Sequence, residues 1–161
     1  MNVHIKPWRI GTCSIYSVVR DEVCLIDRFI DSLTLSNIND AKALASFIDN
    51  LSRAQRIRPE LLRPERPELG VYAMYKHDRR FGPYNPSRVL CAFAGSGDRI
   101  LIAGAGFVKQ VNQPIQKNPK ANQEAEFLAG VVRQVNDRID VGEIISVESE
   151  LRRVRDGSFH F

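Results

Sequence analysis

Hydrophobic residues recur with helical spacing in three parts of the chain. Ile26, Phe29, Ile30 and Leu33 fall at i, i+3, i+4 and i+7, one face of a short helix. Asp21 and Glu22 just before them read as acids of its first turn. After the cap residues of "LSNIND", Ala41, Leu44, Ala45, Ile48 and Leu51 repeat the pattern and predict a second, longer helix. Leu128, Val131, Val132 and Val135 predict a third, resuming from Gln123. Other stretches are richer in β-branched and aromatic residues. "WRIGTCSIYSVV", Trp8 to Val19, predicts an opening strand, and "VYAMYKH", "RVLCAFA" and "RILIAGAGFVKQ" predict three more after Gly70.

The joint "GSGD" has the length and chemistry of a turn between antiparallel strands. Both flanking runs are apolar on both faces, which predicts a central hairpin covered by helices. "RIRPELLRPERPELG" carries Pro59, Pro64 and Pro67, each hostile to a helix interior, and reads as an extended connection. In "SVESELRRVRDG", apolar Val147, Leu151 and Val154, crowded arginines and a stopping Gly157 predict an extra C-terminal helix. The resulting order is β-α-α-β-β-β-α plus that helix. Strands grouped after helices argue for the α+β class with an antiparallel sheet packed by helices.

A chain of 161 residues suits one domain with a real core. Hydrophobic residues at 43% and charged residues at 26% exclude global disorder. Lysine and arginine outnumber the acids by 23 to 19, and the net charge of +4 is compatible with a polyanionic partner. Cys13, Cys24 and Cys91 are odd in number and widely spaced, with no CxxC pair or histidine cluster, so zinc is not expected and reduced cytosolic thiols are. No run approaches the length of a membrane span, which predicts a soluble, cytoplasmic protein.

The glycine-rich stretch invites a nucleotide loop. "GSGDRILIAGAG" meets neither GxxxxGK[ST] nor GxGxxG opening a helix, and strand-like sequence follows Gly106. Gly104 and Gly106 read instead as positions that permit bending or close packing. The chemistry lies in the cations. "KHDRRFGPYNPSR" gathers Lys76, His77, Arg79, Arg80 and Arg88 with Tyr84, while Lys109, Lys117 and Lys120 flank the other end of the hairpin. Converging cations, a histidine and aromatics suit RNA backbone binding and base stacking. They also suit metal-free RNA cleavage, in which a base takes the 2′-hydroxyl proton and cations stabilise the phosphorane. Plainer readings stand beside these: a solvated loop, a surface His77, an Arg88 paired with an acid of a neighbouring helix, and a packing role for Tyr84.

The frame "RVLCAFAGSGDRILIAGAGFVKQ…QKNPKANQEAEFL" resembles the HigB-like branch of the RelE/ParE toxin superfamily. Members show an arginine-led strand, a short turn, a second apolar strand ending in "gFxKK", a "K-x-P" step and a final helix with acidic residues. Those features fall here on Arg88, the Gly95-to-Asp98 turn, Phe107, Lys109, and Lys117 with Pro119. The likeness covers about residues 12 to 138 and leaves 139–161 as a C-terminal extension of one RelE/ParE-like domain. The chain departs from the pattern in Gln110, where a second lysine is usual, and in "AMY" at Ala73 to Tyr75, where "ELR" is usual. The loop "DRRFGPYNPS" is also longer than the usual connection.

The resemblance implies a toxin of a type II toxin–antitoxin module that cleaves mRNA on the ribosome and inhibits translation. Its implied partners are mRNA, the ribosome and a cognate antitoxin, expected to be a helix-turn-helix protein; neither membrane, metal nor organic cofactor is implied. Arg88 would stabilise the phosphorane, with Lys109 and Arg79 or Arg80 holding phosphates and Lys76 or His77 transferring the proton. Tyr84, Lys117 and Lys120 would complete the RNA surface. Two alternatives share the fold: a non-enzymatic ParE-like inhibitor of a protein target such as gyrase, and a diverged phage or prophage protein that binds nucleic acid without cutting it.

Overall fold

The computed structural model describes residues 1–75, 86–109, 114–153 and 161. Its elements are β1 (Val3–Arg9), β2 (Ser14–Arg20), β3 (Val23–Cys24), α1 (Leu25–Ser36), α2 (Ile38–Arg53), β4 (Arg63–Arg66), β5 (Val71–Met74), β6 (Ser87–Phe93), β7 (Ile100–Val108), α3 (Pro119–Asp140), β8 (Ile144–Val147) and β9 (Glu150–Arg153). Seven strands form one sheet in the order β1-β2-β7-β6-β5-β4, with β3 on β2. All pairs are antiparallel except β2 with β7, which run parallel from Ser14↔Ile100 to Ser17↔Ala103. The protein is therefore α+β with a mostly antiparallel sheet.

Alternation along the central hairpin explains why both of its runs are apolar on both faces. Leu101 and Ala103 join Val89, Cys91 and Met74 against Ile26 and Leu33 of α1 and Leu44, Ile48 and Leu51 of α2. Ile100 and Ile102 turn the other way, joining Leu90, Ala92 and Val71 against Leu128, Val132 and Val135 of α3. The helices form as their apolar spacing demands, and two asparagines start them. The Asn37 side chain accepts from the Asp40 N–H, and that of Asn118 from the Ala121 N–H. With Pro119 at its first position, α3 begins four residues before the expected Gln123.

Gly104 and Gly106 do serve close packing. A Cβ on Gly106 would lie 2.1 Å from the Phe29 ring, and one on Gly104 3.4 Å from Leu128. The β6–β7 register also shifts between Val89 and Cys91, so an extra β7 residue is accommodated here.

Three expectations are corrected. The opening strand is two: β1 and β2 form a hairpin, and the "WRIGT" stretch contains its turn. Asp21 and Glu22 are not helical acids but turn residues with φ of 49° and 67°, and α1 starts at Leu25. As far as Arg153 the expected C-terminal helix is instead a β8–β9 hairpin, reversed at Glu148 with φ of 55°, while Val154 and Gly157 lie outside the described residues. The hairpin is pinned by burial of Ile144 and Leu151 and by the Leu151 N–H, which donates to the Tyr16 hydroxyl at 2.9 Å. The proline-rich connection also contains a strand. Between two 3-10 turns, β4 pairs with β5 as the sheet edge, the place in a sheet where a proline such as Pro64 is tolerated.

Candidate functional site

The β6–β7 ladder brings Arg88 and Lys109 to one end of the sheet. Arg88 pairs with Phe107, and just past the strand the Lys109 N–H donates to the Pro86 carbonyl at 2.8 Å. On the other side of β6, the pairing Met74↔Val89 carries Tyr75 alongside Arg88. The Arg88 guanidinium carbon lies 4.8 Å from the Tyr75 ring centroid, and Nη1 donates to the Ser87 carbonyl at 2.9 Å. Arg88 has no exposed surface. It therefore acts on its surroundings through its charge.

The edge strand β4 supplies two groups that sequence reading missed. Glu65 is buried, and Arg63 Nε stands 3.7 Å from its Oε1, too far for a hydrogen bond. Among the described residues that oxygen has no hydrogen-bond partner. Burial pushes the Glu65 carboxyl above its usual range, while Lys109, Arg63 and Arg88 pull it back. Lys109 is half-buried and shifts the opposite way. Desolvation lowers its pKa first, Glu65 opposes, and Arg63 and Arg88 lower it further. One carboxyl pushed up and one amine pushed down, each near a buried guanidinium, make a site suited to moving protons.

The only sequence signal for Glu65 was its place in "RPER", an acid between arginines in a stretch otherwise read as a connection. Lys117 lies exposed in a 3-10 turn before α3, and Lys120 lies exposed in the first turn of α3. Lys120 lines a cleft that also includes Phe107, the cross-strand partner of Arg88. Lys76, His77, Arg79, Arg80 and Tyr84 lie outside the described residues.

The raised Glu65 pKa has a sign that can be checked. A carboxyl that holds its proton more tightly when folded contributes stability at low pH that is lost as pH rises through its folded value. Glu65→Gln removes that loss. Urea unfolding should show the variant gaining on the native protein as pH is raised from about 4.5 to about 7.5, across the range above an ordinary glutamate pKa. A stability difference that is flat across the range would contradict the shift.

No protein-family model, curated protein or solved structure matches the chain.

Proposed function

We propose that the protein is a RelE/ParE-like toxin of the HigB-like type, an endoribonuclease that cuts mRNA on the ribosome and is held in check by an antitoxin. One observation carries the reading: the β6–β7 ladder brings Lys109 to the end of the central hairpin beside the buried Arg88, in the field of Arg63 and Glu65. Two consecutive helices, then grouped antiparallel strands and a further helix, following an opening β1–β2 hairpin, are compatible with the resemblance in the hairpin sequence. The site residues themselves suggest a division of labour.

Lys109 is the partly exposed member and touches the RNA. Its neutral amine takes the proton from the 2′-hydroxyl as the 2′-oxygen bonds to phosphorus. The bond to the 5′-oxygen breaks, leaving a 2′,3′-cyclic phosphate and a 5′-hydroxyl that takes its proton from water. Arg63, half-buried on the edge strand, holds the phosphate, and the buried Arg88 charge stabilises the phosphorane and keeps the Lys109 proton labile. Glu65 offsets the like charges that crowd this sheet end.

Inducing the protein in cells and mapping mRNA ends tests the reading. New 5′ ends within coding sequence, suppressed by co-expressing a neighbouring helix-turn-helix protein, are expected. Growth arrest with DNA damage and intact mRNA would instead identify a gyrase-type inhibitor.

A further inference from the structure

β2 and β7 run side by side only as far as Ser17↔Ala103. Beyond that pair β2 continues with β1 and β3 while β7 continues with β6, so the two strands splay. A cleft of about 320 Å³ opens in the gap, bordered by α1 and the start of α3. That volume is at the small end of ligand pockets and fits a single compact ligand. Leu25, Phe29 and Phe107 give it apolar walls.

Three cations border the cleft, and they are not equivalent. Arg20 is committed: it forms a two-pronged pair with Glu124 at 2.9 and 3.1 Å and lies over the Phe127 ring. That pair also neutralises Glu124, the acid of the lining. Arg28 and Lys120 are exposed and make no ion pair among the described residues. The backbone adds hydrogen-bonding groups. Because Lys109 bonds Pro86 across the ladder, antiparallel alternation turns the N–H and C=O of Gly106 and Val108 away from β6. Gly106 lines the cleft, where β2 no longer pairs with β7.

We propose that this cleft holds one nucleotide of a bound RNA strand. The base packs against Leu25, Phe29 and Phe107 with its edge on the Gly106 backbone, and the phosphate rests on Arg28 and Lys120. Phe107 is two residues before Lys109 and directly across from Arg88, so a strand leaving the cleft continues to the proposed cleavage site. The proposal rests on the ribonuclease reading and adds to it a subsite that grips a neighbouring nucleotide. A peptide strand is the less favoured occupant, because only two residues of β7 turn their backbone outward in the splayed segment.

The test titrates nucleoside 5′-monophosphates, inorganic phosphate and a 2′-O-methyl RNA tetranucleotide, which lacks the attacking hydroxyl, while backbone amide shifts are followed by NMR. Shifts should centre on Ala105, Gly106 and Phe107, with inorganic phosphate binding at least tenfold more weakly than the mononucleotides. Arg28→Gln combined with Lys120→Gln should weaken mononucleotide binding about tenfold or more at an unchanged melting temperature, since each contact to phosphate is charge-assisted. Lys109→Ala should leave mononucleotide binding intact even though it sharply lowers cleavage, which separates failure of the subsite from failure of the nuclease reading. Equal affinity for phosphate and mononucleotide, unchanged affinity in the double variant, or tighter binding of an acidic peptide than of the tetranucleotide would overturn the proposal.

Discussion

Lys109→Ala should lower RNA cleavage by about 10²- to 10⁴-fold, the usual contribution of a positioned acid–base group. The more discriminating variant is Lys109→Arg. Arginine keeps the positive charge that Glu65 faces, yet its guanidinium stays protonated and has no neutral form to accept a proton. If Lys109 only held a phosphate, arginine would restore most of the activity. Under the mechanism proposed here both variants are inactive, and both still fold because the side chain is half-exposed at the end of β7. Cleavage rates measured on ribosome-bound mRNA, with melting temperatures for each variant, decide the matter. The pH profile adds a signature: native activity should rise with pH as the lowered Lys109 amine loses its proton.

Arg88→Leu should cost about 3 kcal/mol of stability, within the range seen when one member of a buried charge set is removed. The cost arises because Glu65, buried and already raised in pKa, loses one of the three cations that favour its charged form. Removing the carboxylate as well should return part of that cost. The Arg88→Leu/Glu65→Gln double variant should therefore be more stable than the two single changes predict by about 1 kcal/mol, a coupling within the range seen for members of one charge network. Denaturant unfolding of the four proteins gives the cycle, and strict additivity would show that the two charges do not sense each other. Arg88→Lys is informative beside it. It keeps a charge but loses the planar group that lies over Tyr75, so it should recover stability only in part.

Much of the scaffold was legible in the sequence because it follows simple periodicities. The helical spacing of Ile26 to Leu33, of Ala41 to Leu51 and of Leu128 to Val135 marks the faces that cover the sheet. The doubly apolar runs on either side of "GSGD" are legible as a central hairpin for the same reason, since each strand has a helix layer on both faces. Elsewhere local pattern and tertiary context diverge. β1 buries only Val3 and Ile5 in alternation, and Pro7 sits within it, so its signal is short and crossed by a strand breaker. In β8–β9, Val147 and Leu151 stand four apart as on a helix, yet the turn at Glu148 and the bond from Leu151 to Tyr16 make a hairpin.

The candidate site divides along the same line. The shared location of Arg88 and Lys109 follows from a tight antiparallel pair and could be read from the chain. Glu65 and Arg63 could not, because they arrive from β4, a proline-flanked edge strand whose pairing with β5 depends on the whole sheet. No local feature of "RPER" says that its glutamate becomes buried beside a lysine more than forty residues away. The burial of Arg88 was equally hidden. A strand-leading arginine looks exposed in sequence, whereas here it is enclosed and contributes through its charge.

In the proposed mechanism this sheet end cuts RNA by attack of the 2′-hydroxyl, with Lys109 taking the proton. Incubating the purified protein with ribosome-bound mRNA and determining the chemistry of the new ends tests this. Cleavage leaving 2′,3′-cyclic phosphates and 5′-hydroxyls, lost in both Lys109→Ala and Lys109→Arg, is the predicted result. Intact RNA, products bearing 5′-phosphates, or full activity in Lys109→Arg would contradict it.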